Sequence, residues 1–155
     1  MRLCPTPTPA RGPLGPRVVV LREQVYVVGG PAAVSDNVLA EIRAMGLTVN
    51  RIAGPNRQAT AIALFDFAAQ KFNWKATHVN LARGDNWPDA VAGGPHAGEE
   101  KAPVLLAGGR DDLSATTRDF LRKHSATIAS IDVLGDATAV SDPVVDDARR
   151  AATTP

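Results

Sequence analysis

Two arginines and one polar loop carry the most distinctive chemistry in this sequence. Arg51 and Arg57 bracket the segment Arg51-Ile-Ala-Gly-Pro-Asn-Arg57, and the run Gly84-Asp85-Asn86-Trp87-Pro88-Asp89 follows further along. Arg57 falls at the start of a helical pattern, where a cation opposes the helix dipole and needs an anionic partner. Asp85 can supply it as a structural ion pair, and an external anionic ligand is the alternative. Asp85 and Asp89 stand four apart and can share a helix-start face as paired carboxylates. No activated nucleophile accompanies them, and cap and turn residues leave the same signature. Elsewhere catalytic sets are hard to assemble. His78, His96 and His124 lack metal-ligand spacing. Ser35 and Ser141 read as helix caps and not as a GxSxG elbow. Cys4 is the only cysteine, which excludes an internal disulfide or a CxxC site. The expectation is a chain with no catalytic residue, no metal and no cofactor.

The glycines give a second candidate surface. Strand-like segments end in or near Gly29-Gly30, Gly54, Gly84, Gly108-Gly109 and Gly135. In a parallel sheet those ends share one edge with the N-termini of the following helices, and free amides there suit a phosphate or carboxylate. Glycine at such joins also simply permits tight turns. Gly29-Gly30-Pro31-Ala32-Ala33 does not spell GxGxxG, and no Walker lysine follows any turn. The candidate ligand set is therefore Gly29, Gly30, Arg51, Gly54, Arg57, Gly84, Asp85, Asn86 and Asp89.

These residues need elements to hold them. Short β-branched runs predict strands at Arg17–Leu21, Val25–Val28, Thr48–Ile52, Thr77–Leu81, Pro103–Leu106 and Ile131–Leu134. Helical periods lie between them. Ser35 can cap a helix with Val38, Ile42 and Met45 on one face, and Ile62, Phe65, Ala69 and Phe72 make the stripe of the next. A weaker helix covers Pro88–Gly98, interrupted by Gly93 and Gly94. Ser114 can cap another, with Thr117, Phe120, Leu121 and His124 along one side, and Asp142-Pro143 open the last. This alternation predicts an α/β fold: a parallel sheet with helices on both faces, Rossmann-like or doubly wound, built of repeated βα units.

Composition narrows the classes further. The chain has 155 residues, 45% apolar and 21% charged, the balance of one ordinary globular domain. Aromatics at 5% leave the core to Ala, Val, Ile and Leu. Net charge is +1, too even for a nucleic-acid backbone binder. The halves differ, however: residues 1–80 hold nine basic and four acidic side chains, and residues 81–155 hold eight and twelve. Solvated helix faces explain that asymmetry, and head-to-tail association between copies is the alternative. No apolar run approaches the ~18 residues of a membrane span, so no membrane insertion is expected. Residues 1–16, with five prolines, read as a flexible tail, and residues 17–155 as one α/β module. The opening MRLCPTPTPARGPLGPR holds no apolar stretch of a secretory signal, which suits either an internal protein or a fragment of a longer one.

An internal repeat lies at an offset of 106 residues. Val25–Arg43 and Ile131–Arg149 share eight of 19 positions without a gap, including Gly29/Gly135, Ala33/Ala139, Ser35/Ser141 and Asp36/Asp142. Such a period suggests a chain cut from an array of modules.

These motifs together resemble one known family. Val25-Tyr-Val-Val-Gly-Gly30, the Arg51–Arg57 segment, Ala59-Thr-Ala61, Leu81-Ala-Arg-Gly-Asp-Asn-Trp-Pro-Asp-Ala90 and Ala102-Pro-Val-Leu-Leu106 are similar to the cell wall binding repeat 2 family over roughly residues 25–150. The resemblance implies a unit from about 51 to 148, preceded at 25–50 by the tail of another. It implies a secreted surface protein of Gram-positive bacteria and some archaea, placed at the cell wall. It also implies a noncatalytic, S-layer-like anchoring module that packs with two others and holds a protein noncovalently on anionic polymers such as teichoic acids. Asn56, Gln58 and Asp136 depart from the family pattern, which usually has Asp, an aromatic and Gly there. Two rival readings remain: a wall hydrolase or nucleotide-binding α/β enzyme, and a structural module that associates with further copies as a homo-oligomer.

Overall fold

A computed structural model of the chain describes residues 24–154. The expected tail at 1–16 and the expected strand Arg17–Leu21 lie outside the described residues. Elements then alternate in order: β1 (Gln24–Val28), α1 (Asp36–Ala44), β2 (Thr48–Ile52), α2 (Arg57–Phe72), β3 (His78–Ala82), α3 (Pro88–Ala92), α4 (Gly94–Glu100), β4 (Val104–Leu106), α5 (Ala115–Lys123), β5 (Ser130–Leu134) and α6 (Asp142–Thr153). All described strand pairs are parallel, as the α/β expectation required.

The described strands divide between two sheets. β1 pairs with β2, and a second sheet runs in the order β4-β3-β5. β4 is only three residues long and follows Pro103, which has no amide to donate. Val28 at the end of β1 and Val104 and Leu106 of β4 line the cleft that separates the two sheets. The core sits on one face of the larger sheet. Val79, Leu81, Leu105, Ile131 and Val133 pack there against Phe65 of α2, Phe120 and Leu121 of α5, and Val144, Ala148 and Ala151 of α6. Phe65 and Phe120 meet edge to face with centroids 5.4 Å apart. α3 and α4 take the opposite face, where Gly93 lies against Leu134.

Two helix faces differ from their predicted stripes. In α1 the buried residue is Leu39, while Val38 and Met45 are exposed. Among the described residues α1 covers a sheet of two strands, so one side chain fills the available surface. In α2, Phe65 is buried as expected, but Gln58 and Ala68 join it and Phe72 is 62% exposed. Phe72 is the last residue of α2, beside Asn73, whose left-handed backbone ends the helix.

The internal repeat is also a repeat of structure. Gly29 and Gly135 close their strands at φ 119° and 102°, a region that favours glycine. After each, a carbonyl accepts two amides: Gly30 from Ala33 and Val34 at 2.9 and 3.0 Å, and Asp136 from Ala139 and Val140 at 2.9 and 3.0 Å. Ser35 and Ser141 then open α1 and α6 with nearly the same extended backbone. They hold the N-cap positions, yet neither side chain makes the capping bond.

Candidate functional site

The Arg51–Thr60 segment forms one local unit. Asn56 caps α2, its side chain accepting from the Ala59 amide at 2.8 Å. Asparagine thus does at this position what aspartate would do. The Thr60 hydroxyl donates to the Asn56 carbonyl at 2.9 Å and accepts from the Gly54 amide at 3.0 Å. A Cβ on Gly54 would lie 2.6 Å from the Ala59 backbone, so only glycine lets the first turn of α2 approach the end of β2.

The two arginines have separate duties. The Arg51 guanidinium donates to the Gly29 carbonyl at 2.5 Å, the Val34 carbonyl at 2.8 Å and Asp36 Oδ1 at 2.9 Å. It fastens β2 to the turn between β1 and α1, and its side chain is only 18% exposed. Arg57 donates to the Gly84 carbonyl at 2.5 Å, across from the end of β3. The expected Arg57–Asp85 pair is replaced. Asp85 is held by Arg83 at 2.5 and 3.0 Å, and that bond keeps its carboxyl below the ordinary aspartate range, with Arg57 adding a smaller long-range pull. Arg83, two residues back on the same loop, reaches Asp85 with less chain to order.

The glycine-rich edge divides into two concavities. The larger, about 850 Å³, is lined by Gly29, Gly30, Gly54, Asn56 and Arg57 with Val28, Leu64, Ala90, Val91 and Leu106. Among the described residues Arg57 is the only charged side chain lining it. Its rim is apolar, since Val28, Leu64 and Val91 stand 45%, 41% and 64% exposed. The second, about 480 Å³, gathers Arg83, Asn86, Asp89, Gly135, Asp136 and Thr138. Asp136 accepts there from the Thr138 hydroxyl at 2.6 Å and its amide at 2.8 Å, which lowers its pKa. Gly84 lies in neither lining. A Cβ on it would sit 2.1 Å from the Ala107 carbonyl oxygen, so its role is close packing of the β3 and β4 ends.

Two contacts were not foreseen from the sequence, although Gln58 itself stood out as a departure from the family pattern. Gln58 is buried, and its amide donates to the Ala107 carbonyl at 3.1 Å, tying α2 to the end of β4. No spacing rule flags a lone glutamine in an apolar helix face. The second is a polar trio: His96 Nε2 lies 3.5 Å from Glu100 and 3.7 Å from Asp132, joining α4 to β5. These groups fall within 4.8 Å of one another, a juxtaposition made by the fold although His96 and Glu100 already had i, i+4 spacing.

Fold and site together define an α/β module whose helix starts and glycine-ended strands converge on a shallow, largely apolar cleft. The model of cell wall binding domain 2 matches residues 51–145. The chain belongs to the cell wall binding domain 2 family. It is 34% identical over 122 residues to the N-acetylmuramoyl-L-alanine amidase LytC of Bacillus subtilis, covering 79% of this chain and 23% of that protein. Its fold matches Cwp6 from Clostridium difficile at a TM-score of 0.69 and 22% identity, and Cwp8 from the same organism at 0.63 and 21%. Each match covers 83% of this chain and 20% of the solved chain. The chain is thus a cell wall binding module, and the family places it at the cell wall or extracellular surface.

Proposed function

We propose that this module is noncatalytic and holds a surface protein noncovalently on an anionic cell wall polymer. The observation that carries the reading is the larger cleft. Among the described residues its single lining charge is a cation, Arg57, set beside Gly29, Gly30 and Gly54 and an apolar rim. Arg57 uses one terminal nitrogen on Gly84, which leaves the rest of its guanidinium fork to a phosphate or carboxylate on the polymer. The apolar rim suits the carbon skeleton of a glycopolymer repeat. Arg51 supports the cleft from behind, and Asn86 and Asp89 shape the neighbouring concavity. No cofactor is needed for such binding.

In the same reading, residues 51–148 are one repeat unit and residues 25–50 close a preceding one. The matching turns after β1 and β5, down to the same carbonyl–amide bonds, support that division.

Co-sedimentation with Gram-positive walls, before and after acid stripping of phosphate-linked polymers, tests the reading. Binding should vanish on stripping, and Arg57→Ala should weaken it about tenfold, the worth of one hydrogen bond to a charged group. Equal binding to stripped walls would overturn the polymer assignment. Turnover of peptidoglycan or nucleotide by the chain would overturn the noncatalytic one.

A further inference from the structure

We propose that the open edge of β5 is a docking site for the β2-type strand of a following repeat, whose Arg51-type arginine it receives in a prepared acceptor set. This inference rests on the reading that residues 25–50 close a preceding repeat. Three independent lines converge on it.

The first is hydrogen-bond parity. In a parallel strand the amide and carbonyl of one residue face the same neighbour, and those of the next face the other. Asn80 donates to Pro103 at 2.9 Å and Ala82 accepts from Ala107 at 2.8 Å, so the even residues of β3 turn to β4 and Val79 and Leu81 turn to β5. On β5 the Thr77 carbonyl accepts from Ala129 at 2.7 Å and from Ser130 at 3.3 Å where the strand begins, and Ser130, Asp132 and Leu134 turn toward β3. Ile131, Val133 and Gly135 therefore turn their amides and carbonyls to the open side of the sheet order β4-β3-β5. In the earlier copy of the repeat, Gly29 is the counterpart of Gly135, and its amide donates to the β2 residue Ile52 at 2.9 Å. The groups that β1 uses to hold β2 are the ones that β5 leaves unpaired among the described residues.

The second is handedness. α5 carries the chain from β4 across β3 to β5, and α6 packs on the same face as α5, joined to it by the Arg118–Asp147 pair. Crossovers between parallel strands are right-handed in about 98% of cases. A strand following α6 by that rule lands on the far side of β5.

The third is chemistry. Arg51 is held by the Gly29 carbonyl, the Val34 carbonyl and Asp36. At an offset of 106 those positions are Gly135, Val140 and Asp142, identical residues in each case. Asp142 is exposed and makes no salt bridge among the described residues. The acceptor set for an arginine is complete, and no arginine among the described residues fills it. The β1–β2 register then fixes the pairing: Ser130 with the incoming Thr48 position, Asp132 with Asn50, Val133 with Arg51 and Leu134 with Ile52.

A tandem chain tests this, with residues 46–155 appended after Pro155 and Cys4→Ser throughout. Asp132→Cys in the first copy and Asn50→Cys in the second place both thiols on one face of the paired strands. Mild oxidation should join them in most molecules, read by peptide mapping. Moving the second cysteine to Val49, which faces the other way, should reduce the yield at least about fivefold. Equal yields, or none, would overturn the proposal. As a second measurement, the peptide Gly46–Thr60 is titrated into the unmodified chain by NMR. Amides of Ile131, Val133, Gly135 and Asp142 should shift, and the same peptide with Arg51→Gln should bind at least about tenfold more weakly. Shifts confined to β1, or no loss with the substituted peptide, would overturn it. Neither experiment contains cell wall, so failure here leaves polymer binding standing, and loss of polymer binding leaves the strand pairing standing.

Discussion

Replacing Arg51 by methionine keeps the apolar stem and removes every bond that the guanidinium makes. Two of these go to the Gly29 and Val34 carbonyls and one to Asp36. The Asp36 side chain is 77% exposed, so that pair contributes little, about 0–1 kcal/mol. The carbonyl bonds involve a charged donor on a largely buried side chain and contribute about 1.5 kcal/mol each, less where water reaches the abandoned carbonyls. The expected loss is about 2–3 kcal/mol. At roughly 2–4 °C per kcal/mol for a chain of this size, the thermal midpoint should fall by about 4–12 °C. The damage should also be local. Arg51 ties β2 to the β1–α1 turn, and that sheet is separate from β4-β3-β5. Hydrogen exchange should accelerate at Val27, Gly29 and Leu39 well before it does at Val79 or Leu81. Thermal unfolding together with residue-resolved exchange reads both effects. A midpoint within 1 °C of the parent, combined with lost wall binding, would refute the reasoning and make Arg51 a ligand contact.

Other outcomes follow from the same geometry. Gly84→Ala forces its methyl to within 2.1 Å of the Ala107 oxygen, and separating the β3 and β4 ends should lower stability by about 2–3 kcal/mol in urea titrations; an unchanged midpoint would refute it. Asn80 is fully buried on β3 with both amide atoms unpartnered among the described residues, so Asn80→Val should raise the thermal midpoint, by about 1 kcal/mol of stability or more, and a lower midpoint would show that the amide has a partner of its own. His124 has its pKa lowered, chiefly by burial against Phe65 and Phe120 and then by Lys123. Below about pH 6.5 the unfolded chain then binds more protons, so its contribution is complete above that pH and declines as pH falls toward the folded value. His124→Phe should flatten that part of the stability profile. The Arg118 bond holds Asp147 below the ordinary range, so Asp147→Asn should cost stability at pH 7 and make no difference once pH falls below the folded pKa of Asp147.

Much of the fold was legible in the sequence because its signals are local. Thr48–Ile52 is the predicted strand to the residue, and Asp142-Pro143 do open a helix. Partition into two sheets was not legible, since it depends on how α2 and the short β4 meet across a cleft. Side-chain pairing at the site was similarly hidden. Arg57 and Asp85 looked complementary, but Arg83 lies nearer in the chain and takes the carboxylate, while Arg57 finds a carbonyl instead. Gln58 and the His96 trio depend on contacts between elements far apart in sequence, which no spacing rule encodes.

Where the two tryptophans sit gives the molecule two built-in optical reporters. Trp74 is partly buried against the main core, whereas Trp87 is 71% exposed at the start of α3, whose Ala90 and Val91 line the larger cleft. Emission from Trp74 should shift to the red as the core opens and stay still when the cleft is occupied. Trp87, being exposed, should emit as a solvated indole and be quenched readily by iodide or acrylamide until something covers the cleft. With Trp74→Phe and Trp87→Phe variants in hand, occupancy of the cleft and melting of the core become two separate colours of one fluorescence trace.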